Sequence, residues 1–378
     1  MASPLRRIPV SQPYITSSDK AAVLDCLDKT YLSGDSPIVG EFEENFAQAI
    51  GAEYGIAVAN GSVALDLVMH ALDLSEGDEV IVPSFTIASC LFAILRTGAT
   101  PIFVDADEGT WNMSIDTVRS KVSARTKAIM VVHIYGLPVD LDPIIQLCEE
   151  RNIFLIEDAA EAHGVRYKGR LCGSFGFAST FSFYANKAIT TGEGGMVLTS
   201  DQDLRDKIKY FRNLAFAPPP GKRFIHEDLG WNYRLGSMQA ALGNSQLARM
   251  DEIVEAKREI GVKYHTALSG HPLLEMQITE MPYARNMYWV VGVLLDDTID
   301  SDILTSKLKA RGVDTRPFFY PLHLQPLLKK YASDKQAALR VTERLAKQGI
   351  YLPSYIGIAN DDIEYVVEQL HASVNEMV

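Results

Sequence analysis

The sequence predicts an α/β protein with a mostly parallel central sheet flanked by helices, followed by a smaller α+β C-terminal domain. Three features of the 378-residue chain carry this expectation. Short runs that are apolar throughout, such as Ala128 to Val132, suit strands covered on both faces. The stretches between those runs are long enough for crossover helices. Hydrophobic residues make up 47% of the chain and charged ones 22%, enough to bury a large core and too apolar for a disordered chain. At roughly 150 residues per domain the length suggests about two domains. The expected division is residues 1–245 and 246–378.

Tyr54 to Ala59 reads as the first strand. Ala64, Leu67, Val68, Ala71 and Leu72 then recur at the spacing of one helix face. Glu79 to Val82, Pro101 to Val104, Ala128 to Val132 and Ile153 to Glu157 read as further strands. After Phe175 the apolar runs come closer together, Ala178 to Tyr184 and Gly195 to Thr199, as the closing strands of the sheet. Pro218, Pro219, Pro220 and Gly221 cannot continue a helix and make a loop. Leu235 to about Leu268 reads as a helix, broken or bent, that leads into the second domain. There Met287 to Leu295 is strand-like, while Asp302 to Ala310 and Asp361 to Val374 are helical.

Composition narrows the function. With 36 Lys plus Arg against 48 Asp plus Glu the net charge is −12, which argues against wide binding to nucleic acid or anionic lipid. A local basic pocket for one phosphate ester remains compatible with it. The most apolar stretch, Ile87 to Leu95, is far short of the roughly 20 residues of a membrane helix. Met1 to Pro9 has no apolar run of signal-peptide length, so the cytoplasm is the expected location. Cys26, Cys90, Cys148 and Cys172 are scattered and read as buried thiols. No histidine pair has the close spacing of a zinc motif, and no metal is expected.

Three segments carry candidate chemistry. The strand Ile153 to Glu157 runs into Asp158 at its carboxyl end, where ligands of open α/β sheets bind. Asp158 there suits holding a ring nitrogen protonated, or else caps a helix. Lys187 follows an aromatic strand and precedes the turn Gly192-Glu193-Gly194-Gly195. That places an amine in a partly desolvated cleft, where burial lowers its pKa and makes it a nucleophile towards carbonyls. Asn60-Gly61-Ser62 joins a strand to a helix, an arrangement whose free N–H groups cradle a phosphate or simply make a turn. Gly-x-Gly-x-x-Gly is absent, which disfavours a dinucleotide. An acid for a ring nitrogen, a nucleophilic amine and a phosphate cradle are what pyridoxal 5'-phosphate requires of a protein.

At these residues the chain resembles the sugar-nucleotide aminotransferases of the aspartate aminotransferase superfamily, the fold type I pyridoxal-phosphate-dependent transferases. The resemblance runs through Glu157-Asp158-Ala159-Ala160-Glu161-Ala162-His163-Gly164, through Phe181 to Lys187 with Thr190 to Gly195, and through Gly230-Trp231-Asn232-Tyr233-Arg234. It implies that Lys187 bonds covalently to the cofactor aldehyde and later shuttles a proton. Asp158 would pair with the ring nitrogen, while Gly61, Ser62 and Ser182 would hold the phosphate. Asn232 would reach the phosphate of a neighbouring subunit, which makes a homodimer with shared sites. Glu161 stands near the cofactor's phenolic oxygen, where many relatives have Gln and perosamine-type relatives have a carboxylate. Relatives place an aromatic residue over the ring where this chain has Ile87, so either Ile87 or Phe85 would cover the ring, with Phe85 otherwise packing in the core.

The resemblance also implies substrates. Glutamate would donate the amine and a nucleotide-linked 4-keto-6-deoxy sugar would accept it, GDP-4-keto-6-deoxy-mannose in the perosamine branch. A 3- or 4-aminotransferase of a UDP or TDP keto sugar is the alternative, and a non-catalytic protein that binds pyridoxal phosphate or a sugar nucleotide is the competitor from another class. Arg316, Tyr320 and His323 lie in a segment resembling one that closes over the site. Ser33 lies where relatives have an active-site loop, and is either a sugar contact or a turn. Lys222-Arg223 would meet a diphosphate or form a solvated loop.

Overall fold

Alternation of apolar strands with amphipathic helices builds the sheet as the sequence requires. The computed structural model describes residues 6–216, 224–331 and 338–377, so the proline run and Lys222-Arg223 lie outside the described residues. Helices α1 (Ser17–Asp28) and α2 (Pro37–Ile50) come first. In α2, Val39, Phe42, Phe46 and Ile50 recur along one face and are buried, Pro37 opens the helix, and Gly51 closes it at φ 97°.

The first unit then runs β1 (Tyr54–Val58), α3 (Gly61–Ala71), β2 (Glu79–Pro83), α4 (Ala88–Arg96), β3 (Thr100–Val104), α5 (Ile115–Lys121), β4 (Thr126–Val132), α6 (Asp142–Arg151) and β5 (Phe154–Asp158). A short hairpin, β6 (Arg166–Tyr167) and β7 (Arg170–Leu171), leads to β8 (Ala178–Ser182) and β9 (Gly195–Thr199). The seven long strands order as β1-β9-β8-β5-β4-β2-β3. Pairs from β8 through to β3 are parallel, and only β9 runs against its neighbours. The register sets Val132, Asp158 and Thr180 side by side at the carboxyl ends of β4, β5 and β8.

Helices α7 (Gln202–Arg212), α8 (Ser237–Leu247) and α9 (Met250–Leu268) follow. The break expected between Leu235 and Leu268 falls at Arg249, whose guanidinium donates to the fully buried Asp19 of α1 at 2.8 Å. The remaining chain forms β10 (Leu274–Met276), β11 (Glu280–Met281), β12 (Ala284–Arg285), β13 (Val291–Leu295), α10 (Ser301–Ala310), β14 (Arg316–Pro317), α11 (Arg340–Gln348), β15 (Gly349–Leu352) and α12 (Asn360–Asn375). Strands β10-β13-β15-β14 make an antiparallel sheet.

Two cores result. The larger surrounds the seven-stranded sheet. The smaller joins Ile260 and Tyr264 of α9 with β13, α10 and α12, and takes in Ile8 from the N-terminal segment. None of the described helices is long and apolar enough to cross a membrane. The four cysteines are buried and unpaired.

Candidate active site

The carboxyl ends of β4, β5 and β8 and the N-termini of α3 and α4 meet at a cavity of about 680 Å³, within the usual range for small-molecule sites. The two carboxylates that end β5 point to opposite faces, as strand geometry demands. Glu157 turns into the protein and accepts from the N–H groups of Gly173, Phe175 and Gly176 at 2.6–2.7 Å. It also accepts from His133 Nε2 at 3.2 Å. The N–H of Val139 donates to His133 Nδ1, so the ring proton sits on Nε2. Burial opposes ionisation of Glu157, but His133 and the backbone donors outweigh it and hold the carboxyl below its ordinary value. Glu157 therefore fixes the loop after the hairpin, which leaves Asp158 to face the cavity.

Asp158 is 3% exposed. Its Oδ1 accepts from the N–H of Ala160 at 3.1 Å and its Oδ2 from Cys90 Sγ at 3.3 Å. Burial raises its pKa against these donors and against Lys187. A buried acid of this kind gains from a cationic partner.

Lys187 sits in a turn after β8, held by its own N–H to the carbonyl of Tyr184 at 2.8 Å. Its Nζ lies 3.7 Å from Glu161 Oε1 and 3.7 Å from the ring centroid of Trp289. Burial pulls the amine below the usual lysine range, with Glu161 and Asp158 opposing. Glu161 is pushed up to about 7 by burial, with Lys187 opposing. Its Oε2 accepts from the N–H of Tyr135 at 2.8 Å. Tyr135 holds φ at 58°, a left-handed conformation that costs about 1–3 kcal/mol in a residue with a side chain. That conformation aims its N–H at Glu161.

At the other end of the cavity, the Asn60 side chain caps α3 by accepting from the N–H of Val63 at 3.0 Å. Gly61 and Ser62 form the first turn, where N–H groups lack partners within the helix. A Cβ at Gly61 would come within 2.7 Å of Ser182 Cβ. Glycine thus lets the end of β8 close on the start of α3. Ser62, Ser182, Thr180 and Ile87 all line the same cavity.

The sequence matches the DegT/DnrJ/EryC1/StrS aminotransferase family over residues 13–371. The chain belongs to that family. It is 41% identical to GDP-perosamine synthase of Escherichia coli O157:H7 over 97% of this chain and 98% of the relative. It is 36% identical to GDP-perosamine synthase of Vibrio cholerae over 95% and 97%. Among solved structures, the aminotransferase TlmJ from Streptoalloteichus hindustanus superposes with a TM-score of 0.91 at 31% identity, covering 98% of this chain and 99% of that one. A mutant of GDP-4-keto-6-deoxymannose-3-dehydratase with bound GDP-perosamine gives 0.89 at 25% identity, covering 96% and 100%. The protein is a pyridoxal-phosphate-dependent aminotransferase with the α/β fold of its family.

The cavity of this aminotransferase fits the cofactor's groups. A desolvated amine, a buried acid and a helix N-terminus line one space, and the Thr180 hydroxyl is buried there without a partner. Of the two candidates for covering the ring, Ile87 is 45% exposed and lines the cavity. Phe85 is 1% exposed and packs on Tyr135, Phe318 and Phe319 with centroids 5.8–6.0 Å away.

The remaining sequence candidates lie elsewhere. Asn232 is exposed and pairs with Asn213 through a backbone bridge. Ser33 is exposed in a turn, its carbonyl accepting from the Ser237 hydroxyl. Arg316 pairs with Asp314 at 2.9 Å, on a strand whose neighbour Tyr351 lines the cavity. Tyr320 is 57% exposed. His323 is enclosed, with Nδ1 2.7 Å from Ser84 Oγ and Nε2 3.2 Å from Glu343.

Sequence reading missed Trp289, Phe319 and Tyr351, which complete the cavity wall. They stand more than 100 positions after Lys187; Phe319 lies inside the Arg316-to-His323 segment, while no local pattern marks Trp289 or Tyr351. The folded chain alone supplies the link, the Asn186 carbonyl accepting from Trp289 Nε1 at 2.9 Å.

Proposed function

We propose that the protein transfers the amino group of glutamate to the keto carbon of GDP-4-keto-6-deoxy-mannose and releases GDP-perosamine. The carrying observation is the desolvated Lys187 amine, which shares one cavity with a buried acid in a chain whose near-full-length relatives are named GDP-perosamine synthase.

Pyridoxal phosphate supplies an aldehyde and an electron-withdrawing ring that spreads the charge left when a proton departs from the amine-bearing carbon. Lys187, with its nucleophilic amine, is the residue that would hold the aldehyde, and the same amine would move that proton. Asp158 keeps the ring nitrogen protonated, since each charge favours the other in a buried site. The N–H groups of Gly61 and Ser62 and the hydroxyl of Ser182 hold the phosphate. Glu161, 3.7 Å from the Lys187 amine, would stand near the phenolic oxygen, and its charge opposes the lowering of the amine's proton affinity by burial. Ile87, which lines the cavity, would cover the ring. Asn232, exposed on this chain, reaches the phosphate held by a second subunit of a homodimer. Arg316 and Tyr320, with Ser33, are the candidate sugar-nucleotide contacts. His323 contributes at one remove by holding Ser84 after β2. Glutamate leaves as 2-oxoglutarate before the sugar binds, in ping-pong order. We place the enzyme in the cytoplasm.

The test is a panel of nucleotide-linked keto sugars with glutamate, following 2-oxoglutarate release, together with borohydride reduction and peptide mapping. Selective turnover of GDP-4-keto-6-deoxy-mannose with label on Lys187 is the expected result. Preference for a UDP or TDP sugar would replace the substrate, and a colourless protein with no labelled lysine would overturn the enzymatic reading.

A further inference from the structure

The first turn of α4 touches the site at three points, two of which are hydrogen bonds to other elements. Ile87 ends the approach to the helix and faces the cavity. Ser89 shares a 2.6 Å hydrogen bond with Ser62 at the start of α3. Cys90, fully buried, points into the protein and reaches Asp158 Oδ2 at 3.3 Å.

The direction of the proton follows from chemistry. Asp158 as a carboxylate only accepts, so the thiol must donate to it. With its S–H pointed at Asp158, the sulfur accepts from Thr86 Oγ1 at 3.8 Å. A relay Thr86 to Cys90 to Asp158 thus runs from the loop after β2 to the end of β5. Ala160 holds the other carboxylate oxygen. Together the two donors fix both oxygens of Asp158 while leaving each a free lone pair towards the cavity.

We propose that Cys90 is a positioning residue: its S–H orients the Asp158 carboxylate and restrains its proton affinity, and thereby keeps the cofactor's ring nitrogen charged. This rests on Asp158 being the ring-nitrogen partner. A thiol is a weaker and longer donor than a hydroxyl, so the acid stays basic enough to hold a shared proton yet does not take it from the ring. Without the donor, Asp158 becomes the stronger base and draws the proton away, which weakens the ring as an electron acceptor.

The test uses the full-length protein with Cys90→Ala and Cys90→Ser. Infrared difference spectra should show the S–H stretch of one cysteine at the lowered frequency of a bonded thiol, absent in C90A. Pyridoxal phosphate titrated into each protein gives the visible band and its pH dependence. C90A should shift the titration of that band and slow the glutamate half-reaction roughly three- to tenfold, the range of an ordinary intramolecular hydrogen bond, as suits a weak thiol donor. C90S restores a donor at the same helix position and should fall nearer to wild type in both readouts. Equal displacement of C90A and C90S would overturn the proposal, since the loss would then follow sulfur's volume. A band unchanged in C90A would overturn it as well. If wild type itself gains no visible band, the cofactor assignment fails instead, and the infrared signal still reports the Cys90 bond.

Discussion

Replacing Glu161 by Gln removes a buried titratable group while leaving an amide oxygen to accept from the Tyr135 N–H. The carboxyl rises from an ordinary 4.5 to about 7, chiefly through burial. A folded-state pKa above the unfolded one means the native protein binds the proton more tightly. The associated stabilisation is present at acidic pH and disappears as pH climbs through the window from 4.5 to about 7. The full shift corresponds to about 3 kcal/mol at about 1.4 kcal/mol per pH unit. Between about pH 5 and about pH 8, wild type should therefore lose about 2–3 kcal/mol relative to E161Q. Urea unfolding of the cofactor-free proteins at one protein concentration, at both pH values, measures the difference as the shift in midpoint times m. Parallel stability-versus-pH curves for the two proteins would refute the reasoning, because Glu161 would then titrate alike in the folded and unfolded chains.

Three further outcomes follow from the geometry. His163 is fully buried, and desolvation pushes it down to about 3, so wild type should lose stability as pH falls below 6.5, by about 2 kcal/mol at about pH 5; His163→Leu should flatten that acid limb, and an unchanged limb would contradict the assignment. Gly61→Ala places a methyl 2.7 Å from Ser182 Cβ and should cost about 1–3 kcal/mol in urea unfolding while weakening pyridoxal phosphate binding in a titration. Trp289→Phe keeps a ring beside Lys187 but leaves the Asn186 carbonyl without its donor, an expected loss of about 1 kcal/mol in the same unfolding assay.

The strands and the groups that line the cavity were legible because their signals are local. An apolar run reports burial on both faces, and its terminus reports where a sheet opens to ligands, so Asp158, Lys187 and the Gly61 turn were found from their own neighbourhoods. The helix break at Arg249 was legible only as a break somewhere, since its position depends on a carboxylate of α1, Asp19. Ile87 and Phe85 stayed undecided for a related reason. Both follow the end of β2 at Pro83, where the two-residue alternation of a strand no longer dictates facing. Tertiary structure decides where each side chain lies: Phe85 packs in the aromatic cluster of Tyr135, Phe318 and Phe319, and Ile87 lines the cavity.

By itself the sequence determined the layered α/β architecture, the amine, the acid opposite it and the glycine that admits close approach. What only the folded chain decided were partnerships between distant segments: Cys90 with Asp158, Tyr135 with Glu161, Trp289 with Lys187, and Ser84 with His323. Periodicity encodes which face of an element is buried. Which side chain it meets depends on a strand order that places β5 between β4 and β8 and β2 between β4 and β3, and no stretch of neighbouring residues carries that order.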